Sequence, residues 1–119
     1  MKHFVWTIGL LLLPSGAFAA SGFPTVTLTH TSAAVTSTSS ITLAANSDRS
    51  WLMLFNDHAT VAIYCKFDAA AVVGEGLRIN AVGGTLVLSA RDGSLDTREL
   101  RCITSEAGPS ETLEVTEGQ

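Results

Sequence analysis

The sequence predicts an all-β protein, a single antiparallel β-sandwich or jelly-roll-like domain of about eight short strands behind an N-terminal signal or hydrophobic helix. Two observations carry this. Strand-length apolar runs recur between turn signals at Asp48, Asn56-Asp57, Gly83-Gly84, Asp92-Gly93 and Gly108-Pro109, at the short spacing of sandwiches and barrels. One run, Thr60 to Phe67, also alternates strictly: Val61, Ile63, Cys65 and Phe67 fall on one face, Thr60, Ala62, Tyr64 and Lys66 on the other. The one helical candidate beyond the leader, Ala69 to Val73, is too short to stand alone and reads as a loop or a single turn.

The leader comes first. Lys2 gives a positive start, Phe4 to Leu13 an apolar stretch, and Ala17-Phe18-Ala19 a small-x-small cleavage site after Pro14-Ser15-Gly16. Residues 1–19 therefore read as a signal peptide and residues 20–119 as the domain. The alternative is an uncleaved membrane anchor, although the apolar run is shorter than the ~20 residues of a bilayer span. Only in that case does the chain meet a membrane.

The strands then follow in order. Thr25 to Thr29 begins a Thr- and Ser-dense stretch reaching Thr42, with Val26, Leu28, Val35, Ile41 and Leu43 as its apolar anchors. It reads as an ordinary first strand followed by a polar loop, or else as an arm that adds a strand to a neighbouring subunit. Ser40 to Ala44 is second. Trp51 to Asn56 opens with five consecutive apolar residues, the pattern of a strand covered on both faces. The turn at Asn56-Asp57-His58-Ala59 makes it a tight hairpin with Thr60 to Phe67. Leu77 to Asn80, Thr85 to Ser89, Glu99 to Thr104 and Thr112 to Thr116 complete the set.

Several of these pieces together resemble a family of small bacteriophage virion proteins: Ile41-Thr-Leu-Ala-Ala-Asn46, then Arg49, the strand ending at Asn56, and the aromatic strand at Tyr64 to Phe67. Val73 to Gly76 leading into Leu77-Arg-Ile79, Gly83-Gly84 leading into Thr85 to Leu88, and Leu113-Glu-Val115 continue the likeness, which covers about residues 25 to 118. The cysteine pair and the leader are additions to the family's pattern. The resemblance implies a non-enzymatic structural subunit of a head decoration, tail or spike, contacting copies of itself and other virion proteins. The competing class is a bacterial exported β-sandwich, periplasmic or at the surface, that binds a glycan or a protein partner.

Composition narrows the function further. Seven Lys and Arg stand against eleven Asp and Glu, a net charge of −4, and loss of Lys2 with the leader makes it −5. With no basic cluster to meet a phosphate backbone, nucleic acid is not an expected partner. Export to an oxidising compartment, periplasmic or extracellular, should close Cys65 and Cys102 into a disulfide, since each shares its phase with inward apolar neighbours. Two separately buried thiols are the alternative.

No residue is assigned to catalysis, to a cofactor or to a metal. His30 and His58 are isolated and His3 lies in the leader. Asp57 and His58 read as turn residues. The glycines around Glu75 and at Gly83-Gly84 lack the following Lys-Ser/Thr of a phosphate loop, and no nucleophile elbow occurs. The acidic residues Glu106, Glu111, Glu114 and Glu117 fit no calcium loop and read as a solvated face. An interface is the remaining candidate: Val26 and Leu28 on the first strand, and Trp51 with Tyr64, which a hairpin would place in one patch.

Overall fold

The structure, a computed structural model, describes residues 26–108 and 110–119, so the signal peptide expected at residues 1–19 lies outside the described residues. Eight strands follow: β1 (Leu28–Val35), β2 (Ser40–Leu43), β3 (Trp51–Asn56), β4 (Ile63–Phe67), β5 (Leu77–Ile79), β6 (Gly84–Ser89), β7 (Leu100–Thr104) and β8 (Glu111–Gly118). Their pairing is nested and antiparallel: β1 with β8, β2 with β7, β3 with β6, β4 with β5. The chain thus runs out through four strands and returns along them through the next four. Because β8 also pairs with β3 and β7 with β4, this long hairpin rolls into two sheets, ordered β1-β8-β3-β6 and β2-β7-β4-β5. That is jelly-roll order. Among the described residues no helix is long and apolar enough to cross a membrane.

The period-2 alternation of the strands fills the space between the sheets. Val35, Leu52, Leu54, Leu88, Leu113 and Val115 from the first sheet meet Ile63, Cys65, Ile79, Leu100 and Cys102 from the second. Cys65 and Cys102 stand directly opposite each other on β4 and β7, both fully buried, and are joined as a disulfide. Such a bond is compatible with an exported protein.

Three local expectations are corrected. Trp51–Asn56 and the following strand do not form a hairpin, because β3 and β4 belong to different sheets. The connection is an arch. Asn56, fully buried, donates from Nδ2 to the carbonyls of Val61 (2.9 Å) and Ile79 (3.3 Å) and accepts the His58 amide on Oδ1, while His58 Nδ1 accepts the amides of Thr60 and Val61. Nor is β3 covered on both faces, since Leu52, Leu54 and Asn56 point inward while Trp51, Met53 and Phe55 stay half-buried on the outside. Finally, the polar stretch after Thr29 is strand rather than loop. β1 pairs with β8 of its own chain from Leu28 to Val35, so it is an ordinary first strand and not an arm given to a neighbour.

A buried arginine fastens the open end of the roll. Arg49, 2% exposed, donates from Nε to Glu117 Oε1 (2.6 Å), from Nη1 to the carbonyls of Asp96 and Arg98 (3.1 Å each), and from Nη2 to the Ala44 carbonyl (2.6 Å). Asn46 turns the β2–β3 connection onto it, accepting the Asp48 amide on Oδ1 and reaching Glu117 Oε1 with Nδ2. One guanidinium thereby ties the β2–β3 connection, the β6–β7 connection and β8 together, and its planar fork suits it to that task.

Candidate interaction surface

The outer face of the β1-β8-β3-β6 sheet is built by the same alternation that fills the core, read in the opposite phase. Strand register sets it out in rows. Leu28, Gly118, Trp51 and Ser89 lie side by side across the four strands, then His30, Thr116, Met53 and Val87, then Ser32, Glu114, Phe55 and Thr85. The β1 side is polar: His30 Nδ1 is hydrogen-bonded to Thr116 Oγ1 at 2.8 Å, and Ser32 donates to Glu114 at 2.7 Å. The β3 and β6 side is apolar, carrying Trp51, Met53, Phe55 and Val87, the last 49% exposed. An apolar stripe turned away from the core is the kind of surface that marks a contact.

At one end the stripe deepens into a groove of about 780 Å³ lined by Val26, Leu28, Ser50, Trp51, Ser89, Ala90, Arg91 and Gln119. Gly118 makes it possible. A Cβ there would come within 2.8 Å of Val26 Cγ1 and 3.2 Å of Trp51 Cβ, so only the missing side chain lets these walls converge. Paired backbone hydrogen bonds between Thr27 and Gln119, both 3.0 Å, hold Val26 at the rim.

Of the four residues that the sequence singles out for an interface, Val26, Leu28 and Trp51 are therefore brought together. Tyr64 is not among them. It projects from the outer face of β4 in the other sheet, where the Arg78 guanidinium lies 5.7 Å from its ring centroid, so a shared Trp51–Tyr64 patch is ruled out by the arch between β3 and β4. Around Tyr64 the outer face is cationic, with Lys66 and Arg101 in register and paired to Glu75 and Glu99.

The acidic residues near the C-terminus do not form one face. Glu114 points outward to Ser32, Glu117 inward to Arg49, and Glu111 sits 3.1 Å from His58 Nε2. Because His58 Nδ1 accepts two backbone amides, its proton is on Nε2 and faces Glu111, an arrangement that shapes the arch. Among the described residues, no three of His, Cys, Asp and Glu converge as metal ligands would. In the β6–β7 connection the Ser94 hydroxyl and amide hold the Asp92 carboxyl below its ordinary value, and the Arg98 guanidinium does the same for Asp96. The Arg98 side chain is held protonated in return by Asp96 and Asp68.

Neither Met53, Phe55 and Val87 as a contact stripe nor Arg49 as a fastener is assigned by the sequence reading. The signal for the first is the five-residue apolar run itself, whose alternate members need a second covering. No family model matches the chain, and no curated protein or solved structure matches it either.

Proposed function

We propose that this protein is a non-enzymatic structural subunit, exported and acting as a multimer, of the head-decoration, tail or spike type in the bacteriophage virion proteins that its sequence resembles. The observation that carries the reading is the apolar outer stripe Trp51, Met53, Phe55 and Val87, which a lone domain leaves facing water and a second subunit covers. The jelly roll is used by capsid proteins and by lectins alike, so the fold does not decide between a structural and a binding role. A second reading, an exported sandwich that binds a glycan or a protein, draws on the groove beside Trp51. Mass spectrometry of purified particles from the source separates the two. Recovery of the protein in stoichiometric amounts supports the virion reading, and its mass there reports whether residues 1–19 are removed. Absence from particles, with the protein present in the periplasm or medium, leaves the binding module.

A further inference from the structure

We propose that β6 pairs antiparallel with β6 of a second copy of this chain, about a two-fold axis at Leu86, so that one sheet runs through both subunits. The inference rests on the multimer reading and adds to it the edge and the register that the subunits use.

β6 ends its sheet, and among the described residues no strand lies beyond it. Its outward backbone groups can be named. The Ala90 amide donates to the Ser50 carbonyl (2.9 Å) in continuing register, so Leu88, Leu86 and Gly84 turn their backbone groups toward β3 while Ser89, Val87 and Thr85 turn theirs away. Ser89 is already held: its amide donates to Ser94 Oγ (3.0 Å) and its carbonyl accepts the Ser94 amide (3.2 Å). Thr85 and Val87 are left with N–H and C=O directed at the edge.

Sheet edges are commonly blunted by shortness, charge, proline or a bulge. β5 has three residues and carries Arg78, β2 has a register shift between Ile41 and Leu43, and β1 offers mostly small and polar side chains. Gly84–Ser89 has none of these features, and its pairing with β3 is regular. Leu86 shows what the edge lacks. It shares the inward phase of its register partner Leu54, yet Leu54 is fully buried and Leu86 only partly, because no strand covers its far side.

The same groups select both partner and register. Thr85 and Val87 flank Leu86 symmetrically, so a strand turned about Leu86 sets each Thr85 against the copy's Val87 and satisfies every outward group. An axis at Val87 would set Thr85 against Ser89, which Ser94 holds, and an axis at Thr85 would set Val87 against Gly83, whose amide donates to the Asn56 carbonyl (2.9 Å). With the axis at Leu86, that residue meets its own copy in a narrow pair, Cα atoms about 4.5 Å apart, and gains the cover it lacks. The turn into β6 adds a separate observation. Val82 holds φ at +60°, which a β-branched residue rarely adopts, and is 77% exposed, so no burial within the domain offsets the strain. In the paired arrangement this turn lies at the Ser89–Ala90 end of the copy's β6.

Amide hydrogen exchange of the full chain, followed by NMR across a dilution series, tests the contact without any substitution. The Thr85 and Val87 amides should be protected in the oligomer and exchange freely in the monomer, while those of Leu86 and Leu88, bonded to β3, stay protected throughout. Thr85→Pro removes an outward N–H and leaves the β3 ladder whole, so it should raise the dissociation constant about tenfold or more with an unchanged far-ultraviolet spectrum. If that variant does not fold, the exchange rates alone decide. An oligomer whose Thr85 and Val87 amides exchange as fast as the monomer's, or a folded Thr85→Pro chain with an unchanged dissociation constant, overturns the edge contact and leaves the multimer reading with the Trp51 to Val87 stripe as its interface. A wild type that is monomeric at every concentration overturns both.

Discussion

Arg49 is the one buried cation among the described residues, and it carries three carbonyls and a carboxylate on a single fork. Removing it strands Glu117, whose side chain is 13% exposed, together with the carbonyls of Ala44, Asp96 and Arg98. Breaking a buried pair from one side is costly, so Arg49→Ala should lower unfolding free energy by about 3 kcal/mol. Urea denaturation should show this as a lower midpoint at unchanged slope. Glu117→Gln keeps an acceptor for Nε and should cost about 1 kcal/mol. The double change Arg49→Met with Glu117→Leu should recover the ion-pair part alone, because the three carbonyls still lose their donor. A full recovery would mean that the carbonyl contacts add nothing. Half of this site was legible in the sequence: Glu117 keeps the inward phase of Leu113 and Val115, and a carboxylate in that phase requires a partner. Reading the four C-terminal glutamates as one solvated run hid the phase, and no spacing rule connects position 117 to position 49.

At the scale of elements, most strands are legible in the sequence, β1 only at its Leu28-Thr29 end, and their partners are not. Alternation at Val61, Ile63 and Cys65 tells which side is wet, but says nothing about which strand lies alongside, so the pattern suits a hairpin as well as the β3–β4 arch. A turn of Asn, Asp and His serves either geometry, and it is the contact of Asn56 with the distant Ile79 carbonyl that fixes the arch. The cysteines show the opposite case, since a covalent partner can be inferred from phase and compartment alone. Alkylation of the oxidised, unreduced protein should label neither Cys65 nor Cys102, both fully buried and bonded. Closing a loop of 37 residues stabilises by about 4 kcal/mol on the chain-entropy model, and reduction should remove a comparable amount. The β6–β7 connection carries a pH dependence of known sign. Asp92 and Asp96 have folded values below the ordinary 3.8, so they stabilise the fold above that value and lose the contribution as pH falls through the folded ones. Asp92 is exposed, which keeps its share small, while the Asp96 side chain is 25% exposed and is screened less. Carboxyl NMR titration should place both midpoints below 3.8, and Ser94→Ala should return that of Asp92 toward it while leaving Asp96 in place.

Over the whole molecule, the two outer faces are chemically unlike. One carries Tyr64, Lys66, Arg78 and Arg101, largely satisfied by stacking and by neighbouring carboxylates; the other carries the apolar stripe along β3 and β6. On the proposed multimer reading, self-association would run through the β1-β8-β3-β6 sheet, in which β6 is an edge strand. A contact of one such patch with its own copy closes as a symmetric dimer, while a contact with a different patch closes as a ring or runs on as a fibre. Light scattering on the purified protein should show a closed oligomer. Val87 is the residue to change, because it lies on the edge strand, faces outward and is 49% exposed, so a polar replacement there should alter folding stability by only a few tenths of a kcal/mol. Placed inside a subunit contact, the same replacement buries a charge and should dissociate the oligomer. Val87→Glu is thus expected to be a folded, disulfide-bonded monomer with an unchanged far-ultraviolet spectrum. Tyr64→Glu, on the opposite face, should leave the assembly intact. An oligomer that survives Val87→Glu and Phe55→Glu but falls apart with Tyr64→Glu would move the contact to the cationic sheet, and a wild-type protein that stays monomeric at high concentration would favour the exported binding module over the structural subunit.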